Sequence, residues 1–465
     1  MDKVSIGFVP AHRVPFDEEW AINMRRRTLD ALSKVEGLEV VVPDENWTQN
    51  GLVRDDNDAE AVVDLFTSAG VSGVIIGAMT FGDEISAVSV AEAMGVPVLL
   101  FGTKEGDFVA DGNRRSDSFC GTLSISSGLY RRKIPFTFGG IFFPEEEPFV
   151  ASVDDFVRTC AIAQGFYGAR IGLVGPRQER FETCAINEYP MIEQFGQRVV
   201  PISLADVFAA ANALADDDPS VAAIVEEMCG RADCSGVDRE ALLKAAKLEQ
   251  VLLNWADEKN LLGMGVQCWT AMQEVYGISP CATMGRLTGR GIMTSCEVDI
   301  HGALTMLVQH LASLGTTVPH FIDWTIQHQE MDDVFFAWHC GNAPHGLVCP
   351  GGTIHMRAHS ILNRIVGDEA SQGTAEFQLK PGVVTLNRLV EYDGLFKMLI
   401  TTGEIIPSDQ ELRGSWSWVQ VPDLNYLYRV LVEEGFTHHA SIIHGDFTMP
   451  IVDFCEFAGI EMVIV

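Results

Sequence analysis

The sequence predicts an α/β protein with two Rossmann-like, doubly wound domains followed by a C-terminal β-rich, barrel-like domain. Short apolar runs alternate with amphipathic stretches over the first part of the chain. The alternation restarts after a Pro- and Glu-rich segment at residues 143–148. From residue 352 onward, short apolar runs are separated by turn residues instead. We therefore predict domains at residues 1–165, 166–351 and 352–465, a number that suits a chain of 465 residues.

The first domain is predicted from continuous apolar runs that stand between helical patterns. Residues 4–9 form such a run, and the next segment has apolar residues at helical spacing behind Asp17. Runs of this kind are typical of a parallel sheet covered on both faces, where ligands bind at the carboxyl ends of the strands. The predicted strands are 4–9, 38–42, 74–76 and 96–101, and the helices are 18–35, 59–69 and 85–94.

The second and third domains follow from the same patterns. In the second, predicted strands at 170–174, 199–202, 264–266 and 291–293 alternate with helices at 156–166, 184–195, 204–215, 238–259 and 299–312 and a helix starting at residue 270. In the third, runs at 375–379, 383–392 and 396–404 are joined by Lys-Pro-Gly and Asp-Gly, which favour hairpins. A helix at 424–434 and a strand at 461–465 complete the prediction.

The charge balance excludes two classes of partner. Sixty-four acidic against 32 basic side chains leave a net charge of −32, which repels nucleic acids and anionic membranes. The chain has no apolar run of the roughly 18 residues that a membrane span needs, and its start does not resemble a signal peptide. We expect a soluble, cytoplasmic protein with no nucleic-acid or membrane partner. Eleven scattered cysteines favour reduced thiols.

Three short motifs are only weak indications of nucleotide or zinc binding. The segment 172–175 follows a strand but lacks the third glycine of a dinucleotide-binding turn, which favours a plain strand-ending turn. Cys229 and Cys234 have no second pair at zinc-like spacing. Cys340, His345 and Cys349 are closer together, but the prolines and glycines among them favour a loop with a buried thiol over a zinc site.

The informative pattern is a set of acids and histidines next to apolar segments. Glu297 follows one predicted strand, Asp323 ends the run 320–322, His339 ends the run 334–338, and His439 lies downstream. We expect the first three to follow strands of the parallel sheet in the second domain, where side chains at the carboxyl ends converge on one pocket. Two carboxylates with imidazoles suit a divalent ion such as Mn²⁺. The same residues also have structural interpretations, which the pattern leaves open. Glu297 fits the first turn of a helix, Asp323 a helix cap, and His339 a hydrogen-bonded core histidine.

Five segments together resemble the L-fucose isomerase / L-arabinose isomerase family. They are residues 295–304 (SCEVDIHGAL), 321–324 (FIDW), 336–344 (FAWHCGNAP), 380–388 (KPGVVTLNR) and 437–441 (THHAS). The resemblance covers essentially the whole chain in order. It implies the three-domain architecture predicted above and a homo-oligomer of three-fold type, a trimer or hexamer, with sites at subunit borders.

The same resemblance implies a chemistry and a ligand set. It implies aldose–ketose isomerisation through a cis-enediolate, with Mn²⁺ or another divalent ion such as Co²⁺ or Mg²⁺ as cofactor. Glu297 and Asp323 match the family's metal-binding acids, which also serve as acid and base, and His439 matches its metal-binding histidine. His339 matches a further histidine ligand of the arabinose branch. Asp323, in place of glutamate, agrees with the fucose branch.

Further residues are candidates for contacting the sugar. Arg13 and Phe81 follow two strands of the first domain, and in the family a neighbouring subunit presents such loops to the substrate. Gln267, Asn342 and Trp416 offer amide and aromatic groups that suit sugar hydroxyls and faces. For Phe81 and Trp416, a role as core aromatics is the alternative.

Two other functions stay open at this point. The first is a non-catalytic sugar-binding protein, since paired Rossmann-like domains also build solute receptors. The second is another metal-dependent enediolate reaction, aldol cleavage or epimerisation. The small-molecule sugar also stays open: L-fucose, L-arabinose, D-arabinose, a branched pentose or a sugar with a charged substituent would need the same core chemistry.

Overall fold

The computed structural model describes residues 3–465, which fold into two compact units. One unit comprises the chain up to Gln164 together with Met449–Gly459, and the other comprises Gly165–Thr448 together with Ile460–Val465. Within residues 3–465, no helix combines the length and apolar character needed to cross a membrane.

The first unit is built on a parallel five-stranded sheet with the order β2-β1-β3-β4-β5. Its strands are β1 (Val4–Ala11), β2 (Leu38–Val41), β3 (Gly73–Ala78), β4 (Val98–Thr103) and β5 (Thr137–Phe142). Its helices are α1 (Glu18–Leu32), α2 (Asp56–Ala69), α3 (Glu84–Met94), α4 (Ser118–Arg131) and most of α5 (Glu147–Phe166).

The buried strands of this sheet explain why its first four strands could be predicted from continuous apolar runs. Seven of the eight residues of β1 are buried, all except Ser5, and all six residues of β3 are buried. The helices pack closely on the strands: a Cβ on Gly7 would lie 2.4 Å from the ring of Phe66 in α2. Only glycine permits this approach, which brings an aromatic ring directly onto the strand backbone.

The second unit contains a parallel four-stranded sheet with the order β7-β6-β8-β9. Its strands are β6 (Arg170–Val174), β7 (Arg198–Ile202), β8 (Gly263–Val266) and β9 (Met293–Cys296). Its helices are α6 (Glu188–Phe195), α7 (Leu204–Ala213), α8 (Pro219–Arg231), α9 (Arg239–Lys259), α10 (Cys281–Gly289) and α11 (Ile300–Ala312).

The remaining strands form one mixed sheet of nine strands, ordered β12-β13-β16-β11-β10-β17-β14-β15-β18. They are β10 (His320–Gln327), β11 (Val334–His339), β12 (His355–Ala358), β13 (Gln372–Gln378), β14 (Gly382–Tyr392), β15 (Leu395–Ile406), β16 (Ser415–Gln420), β17 (His439–His444) and β18 (Glu461–Ile464). An additional pairing of β15 with β16 closes the six strands β16, β11, β10, β17, β14 and β15 into an antiparallel ring. The helices in this part are α12 (Asn363–Val366) and α13 (Leu424–Glu433). Helix α14 (Thr448–Ala458) belongs to the first unit except for its first residue.

These sheets confirm the predicted α/β class, with parallel sheets first and a β-rich C-terminal part. One placement was wrong: β10 and β11 belong to the antiparallel ring, although we expected them beside β9 in a parallel sheet. Strand-length apolar runs do not reveal their partners, because pairing depends on distant segments such as β16 and β17. The elements that were not predicted are the helices α4, α8, α12 and α14 and the strands β5, β12, β16 and β17. The Rossmann-like assignment and the three domain boundaries stay predictions.

The cysteines depart from the expected reduced state at one pair. Cys229 and Cys234 are joined by a disulfide across the end of α8. The other nine cysteines are free thiols, seven of them buried. The expectation of reduced thiols is therefore wrong for Cys229 and Cys234.

Candidate active site

Glu297 occupies a tight turn between β9 and α11. Glu297 and Val298 both have left-handed backbone conformations, with φ of 57° and 61°, which are strained for residues that carry a Cβ. The backbone of Val298 lies against β8, where a Cβ on Gly265 would be 2.9 Å from its Cα atom. Helix α11 begins only at Ile300, with Asp299 as its N-cap. The interpretation of Glu297 as a first-turn helix acid is therefore wrong.

Asp323 and His439 face each other across neighbouring strands of the antiparallel ring. Asp323 lies in the fourth position of β10, and His439 begins β17 as its direct partner in the register. Asp323 therefore neither ends a strand nor caps a helix, so both of those interpretations were wrong. The expectation that all the residues gather at the carboxyl edge of a parallel sheet holds for Glu297 alone. The others come from strands β10, β11 and β17.

The structure brings Glu297, Asp323, His339 and His439 together. The Nε2 atom of His439 lies 2.9 Å from Glu297 Oε2 and 3.6 Å from Asp323 Oδ1. Asp323, His339 and His439 each have a potential metal-binding atom within 4.8 Å of the other two. Both histidines and Glu297 are buried, whereas the side chain of Asp323 keeps 21% of its surface exposed. The cluster thus has one side open to a substrate.

Asp299 holds His439 from the opposite side of the imidazole ring. Its Oδ2 atom lies 2.8 Å from His439 Nδ1, and both of its oxygens accept hydrogen bonds from the buried Arg388. Asp299 also accepts from the backbone N–H of Gly302. Because Nδ1 donates its proton to Asp299, Nε2 is the nitrogen that faces the two acids. A protonated Nε2 donates to Glu297, and a deprotonated Nε2 has a lone pair that could bind a cation. A carboxylate on the second nitrogen is the usual partner of a metal-binding histidine.

Burial and neighbouring charges set the protonation of these groups. Burial raises the pKa of Asp323 to about 7, although the nearby His439 opposes this rise. Burial alone would raise the pKa of Asp299, but the Arg388 charge and the His439 hydrogen bond hold it well below its usual range. For His439, burial lowers the pKa, and the hydrogen bonds to Asp299, Cys184 and Glu297 overcome this and raise it.

The donor set fits a divalent cation of the Mn²⁺ type. Two carboxylates and a neutral imidazole nitrogen supply oxygen and nitrogen ligands, and Mn²⁺, Co²⁺ and Mg²⁺ differ in their preference between the two. The Oδ1 atom of Asp323 is buried and has no hydrogen-bond partner among residues 3–465, which is costly unless a ligand supplies one. His339 fits this set less well. Its Nδ1 accepts the N–H of Cys340 at 2.9 Å, so a neutral ring carries its proton on Nε2.

The other sugar-contact candidates of this unit occupy different surroundings. Gln267 follows β8 at the same sheet edge as Glu297, and its Oε1 atom is buried with no hydrogen-bond partner in the part of the chain that the structure describes. Asn342 is buried and hydrogen-bonds to His320 through Oδ1. Trp416 is buried against Phe336 and lines a separate cavity of about 380 Å³. A sugar contact by any of the three candidates stays a prediction.

Arg13 and Phe81 contact each other in the first unit. The guanidinium of Arg13 lies 4.8 Å from the ring centroid of the half-buried Phe81. Arg13 also pairs with Asp83 and Glu84 at the start of α3. The pair therefore forms a charged and aromatic surface at the carboxyl edge of the five-stranded sheet. Its role in a neighbouring subunit's site stays a prediction.

Sequence reasoning missed three residues that shape the site: Asp299, Arg388 and Cys184. Asp299 lies two residues after Glu297 in the segment 295–304, and Arg388 ends the segment 380–388. Both residues therefore belong to segments that carry the family resemblance, but neither was assigned a role. The pairing of Arg388 with Asp299 could be recognised only once the structure showed that the two side chains are in contact. The Cys184 thiol lies 3.9 Å from His439 Nδ1, and nothing in its sequence context indicates this.

Comparisons with known proteins agree with the geometry. Residues 7–167 match the family described as fucose/sulfoquinovose isomerase, N-terminal domain, and residues 337–465 match L-fucose isomerase, C-terminal domain. Together the two matches span well over half of the chain.

Similar proteins extend the agreement over the full length. A sulfoquinovose isomerase of Priestia aryabhattai is 24% identical over 467 residues, and one of Alkalicoccus urumqiensis is 25% identical over 466 residues. Each alignment covers 99% of both chains. An L-arabinose isomerase of Shewanella baltica is 24% identical over 68% of this chain and 63% of its own length. These similarities favour catalysis over the non-catalytic alternative. The chain therefore belongs to the L-fucose isomerase / L-arabinose isomerase family and is an aldose–ketose isomerase.

Proposed function

We propose that the protein is a Mn²⁺-dependent sugar isomerase that moves a proton between C1 and C2 through a cis-enediolate. The observation that carries this proposal is the arrangement around His439. One ring nitrogen faces Glu297 and Asp323, while the other is held by Asp299. This arrangement combines a set of metal-binding atoms with two carboxylates that can exchange protons, and the exposed side of Asp323 gives access to a sugar.

Glu297, Asp323 and His439 would hold the cation, with Co²⁺ or Mg²⁺ as alternatives to Mn²⁺. When bound, the cation would supply positive charge that polarises the sugar carbonyl and the neighbouring hydroxyl. Asp299 holds Nδ1 of His439, so that Nε2 faces the acids and could bind the cation once deprotonated. The surrounding apolar strands exclude water from all but the Asp323 side of the cluster.

The two acids would carry the protons. Burial raises the pKa of Asp323 to about 7 in the metal-free site. A bound cation would favour the ionised carboxylate, the form that can accept a proton. One carboxylate takes the proton from C2 of the aldose and returns it to C1. The other transfers the hydroxyl proton from O2 to O1. A positioned acid or base of this kind contributes roughly 10²–10⁴ in rate.

His339 would act as a hydrogen-bond donor toward the sugar. Because its Nδ1 accepts from the Cys340 backbone, Nε2 carries the proton of the neutral ring. Burial and the neighbouring His439 hold the pKa of His339 well below its usual range, so the ring stays neutral. We therefore expect His339→Gln to keep its metal content while the KM for the sugar rises.

Metal analysis of variants tests the cation site. We expect about one Mn²⁺ per chain in the wild-type protein and a large loss in Glu297→Gln and His439→Ala. The exposed Glu274 provides a matched control, since Glu274→Gln removes the same charge away from the cluster. Full metal retention in both cluster variants would show that the ion binds elsewhere.

Isomerisation in D₂O tests the proton transfer. Deuterium at C1 of the ketose supports an enediolate, whereas a hydride shift would move the C2 hydrogen without exchange. Turnover in Glu297→Gln and Asp323→Asn should fall by at least roughly 10². Complete absence of solvent deuterium over many turnovers, with near-normal activity in both variants, would reject the assigned roles.

The substrate is best sought with a panel of aldoses. The panel contains sulfoquinovose, L-arabinose, L-fucose and D-arabinose, because the first two sugars appear in the names of similar proteins. Ketose formation identifies the substrate. Product analysis also separates isomerisation from epimerisation, which would yield an aldose, and from aldol cleavage, which would yield two fragments.

We also propose a closed homo-oligomer, a trimer or hexamer, in which Arg13 and Phe81 reach the site of a neighbouring subunit. Symmetric assembly is common among soluble enzymes. Light scattering combined with activity measurements tests this proposal, and Arg13→Gln should lower kcat/KM without changing the particle mass. A fully active monomer would refute it.

A further inference from the structure

A second polar cavity lies beside the opposite end of strand β9 from Glu297. It has a volume of about 210 Å³, and its charged lining comes from Glu227, Arg231, Arg286, Arg290 and His345. Arg290 lies just before β9, whereas Glu297 follows it, and the four residues of the strand span about 13 Å. The cavity is therefore distinct from the candidate active site.

We propose that this cavity binds a phosphate or sulfate group, either as a free ion or on a small organic molecule. The charges around the cavity give the first argument. Arg286 and Arg290 both bond to the fully buried Glu249, with Nε–oxygen distances of 2.6 and 2.9 Å. Both also bond to Glu227. Two carboxylates thus neutralise these two guanidinium groups.

Arg231 is then a surplus cation. It ends α8 and has no ion-pair partner among residues 3–465. The cavity therefore has a local charge of about +1 in a chain whose net charge is −32. Arg286 and Arg290 use Nε and Nη2 for their carboxylate bonds, which leaves their Nη1 groups to donate to a ligand.

His345 gives an independent second argument. The residue is only 7% exposed, and neither of its ring nitrogens has a hydrogen-bond partner within the described chain. A buried donor without an acceptor is destabilising. An oxyanion next to Arg231 would supply that acceptor and would also favour a protonated ring. His345 is thus a buried polar side chain in the cavity wall that could pair with an oxyanion.

A purely structural interpretation explains less. Arg231 is the last residue of α8 and Arg290 follows α10, positions where a cation interacts favourably with the helix dipole. That accounts for two of the arginines but leaves the imidazole of His345 unexplained. The cavity volume is about 210 Å³. It exceeds what one tetrahedral ion needs and leaves room for a small organic group.

Calorimetric titration tests the proposal on the full-length, metal-loaded protein. The probes are inorganic phosphate, sulfate and glucose 6-phosphate, each compared with chloride at matched ionic strength. We expect saturable binding, with a Kd at least about tenfold higher in Arg231→Gln, since a charge-assisted hydrogen bond is lost. The exposed Arg198 on β7 provides the matched control, and Arg198→Gln should leave the Kd unchanged.

Two comparisons identify the ligand and its position. Tighter binding of glucose 6-phosphate indicates an organic phosphate, and equal binding indicates the free ion; both support the proposal. Absence of saturable binding by all three probes would overturn it, as would equal Kd values in wild type and Arg231→Gln. Loss of binding in Glu297→Gln, with retention in Arg231→Gln, would place the anion at the metal cluster and would also overturn it.

Discussion

Replacing Asp299 with asparagine would leave the Arg388 guanidinium without a counter-charge in the interior. Both side chains are almost completely enclosed, at 2% and 1% exposure. The two Nη groups of Arg388 lie 2.5 and 3.1 Å from the carboxylate oxygens. Breaking a buried ion pair by removing one partner destabilises a protein by about 3–5 kcal/mol. We expect Asp299→Asn to lower the free energy of unfolding by that amount.

A second effect of Asp299→Asn concerns His439. The amide can no longer accept from His439 Nδ1 with a full negative charge, so the ring loses the group that fixes its tautomer. Loss of such a partner lowers metal affinity by about 10–100-fold. Urea unfolding and a competitive metal titration measure the two effects separately.

The double variant Asp299→Asn/Arg388→Met provides the control. It removes both charges, so most of the lost stability should return. Metal affinity should stay low, because His439 still lacks its carboxylate. The reasoning would be refuted by a single variant within 1 kcal/mol of wild type, or by a double variant that recovers both stability and metal affinity.

Three further predictions concern the folded state. Burial lowers the pKa of His320 to about 3. The stability that the neutral, buried ring contributes is therefore complete above pH 6.5 and is lost as the pH falls toward 3. We expect His320→Gln to flatten the acid side of a plot of Tm against pH. Burial raises the pKa of Asp453 to about 6, so its ionisation disfavours the folded state at higher pH; Asp453→Asn should raise Tm at pH 8 and not at pH 4. Phe66→Ala, at a fully buried position, should cost about 3–5 kcal/mol in urea unfolding, and a change below 1 kcal/mol would contradict the packing of its ring on Gly7.

The local sequence determined the helices and strands whose apolar pattern is continuous. Strand β1 is enclosed along most of its length, and helix α9 follows the predicted range 238–259 closely. The acids and histidines of the site were also identifiable, since Glu297, Asp323 and His439 belong to residue patterns that few families share. Patterns of this kind depend on residues near one another in the chain, so they are readable without a structure.

The tertiary structure alone decided how these residues meet. The sequence indicated a cluster at one edge of a parallel sheet, but Asp323 and His439 meet across antiparallel strands that are more than a hundred residues apart. The Asp299–Arg388 pair and the His345 cavity likewise join segments far apart in the chain. Pairing of this kind depends on which distant surfaces bury each other best. A local apolar pattern indicates that a strand is buried, but it does not indicate which other strand or helix packs against it.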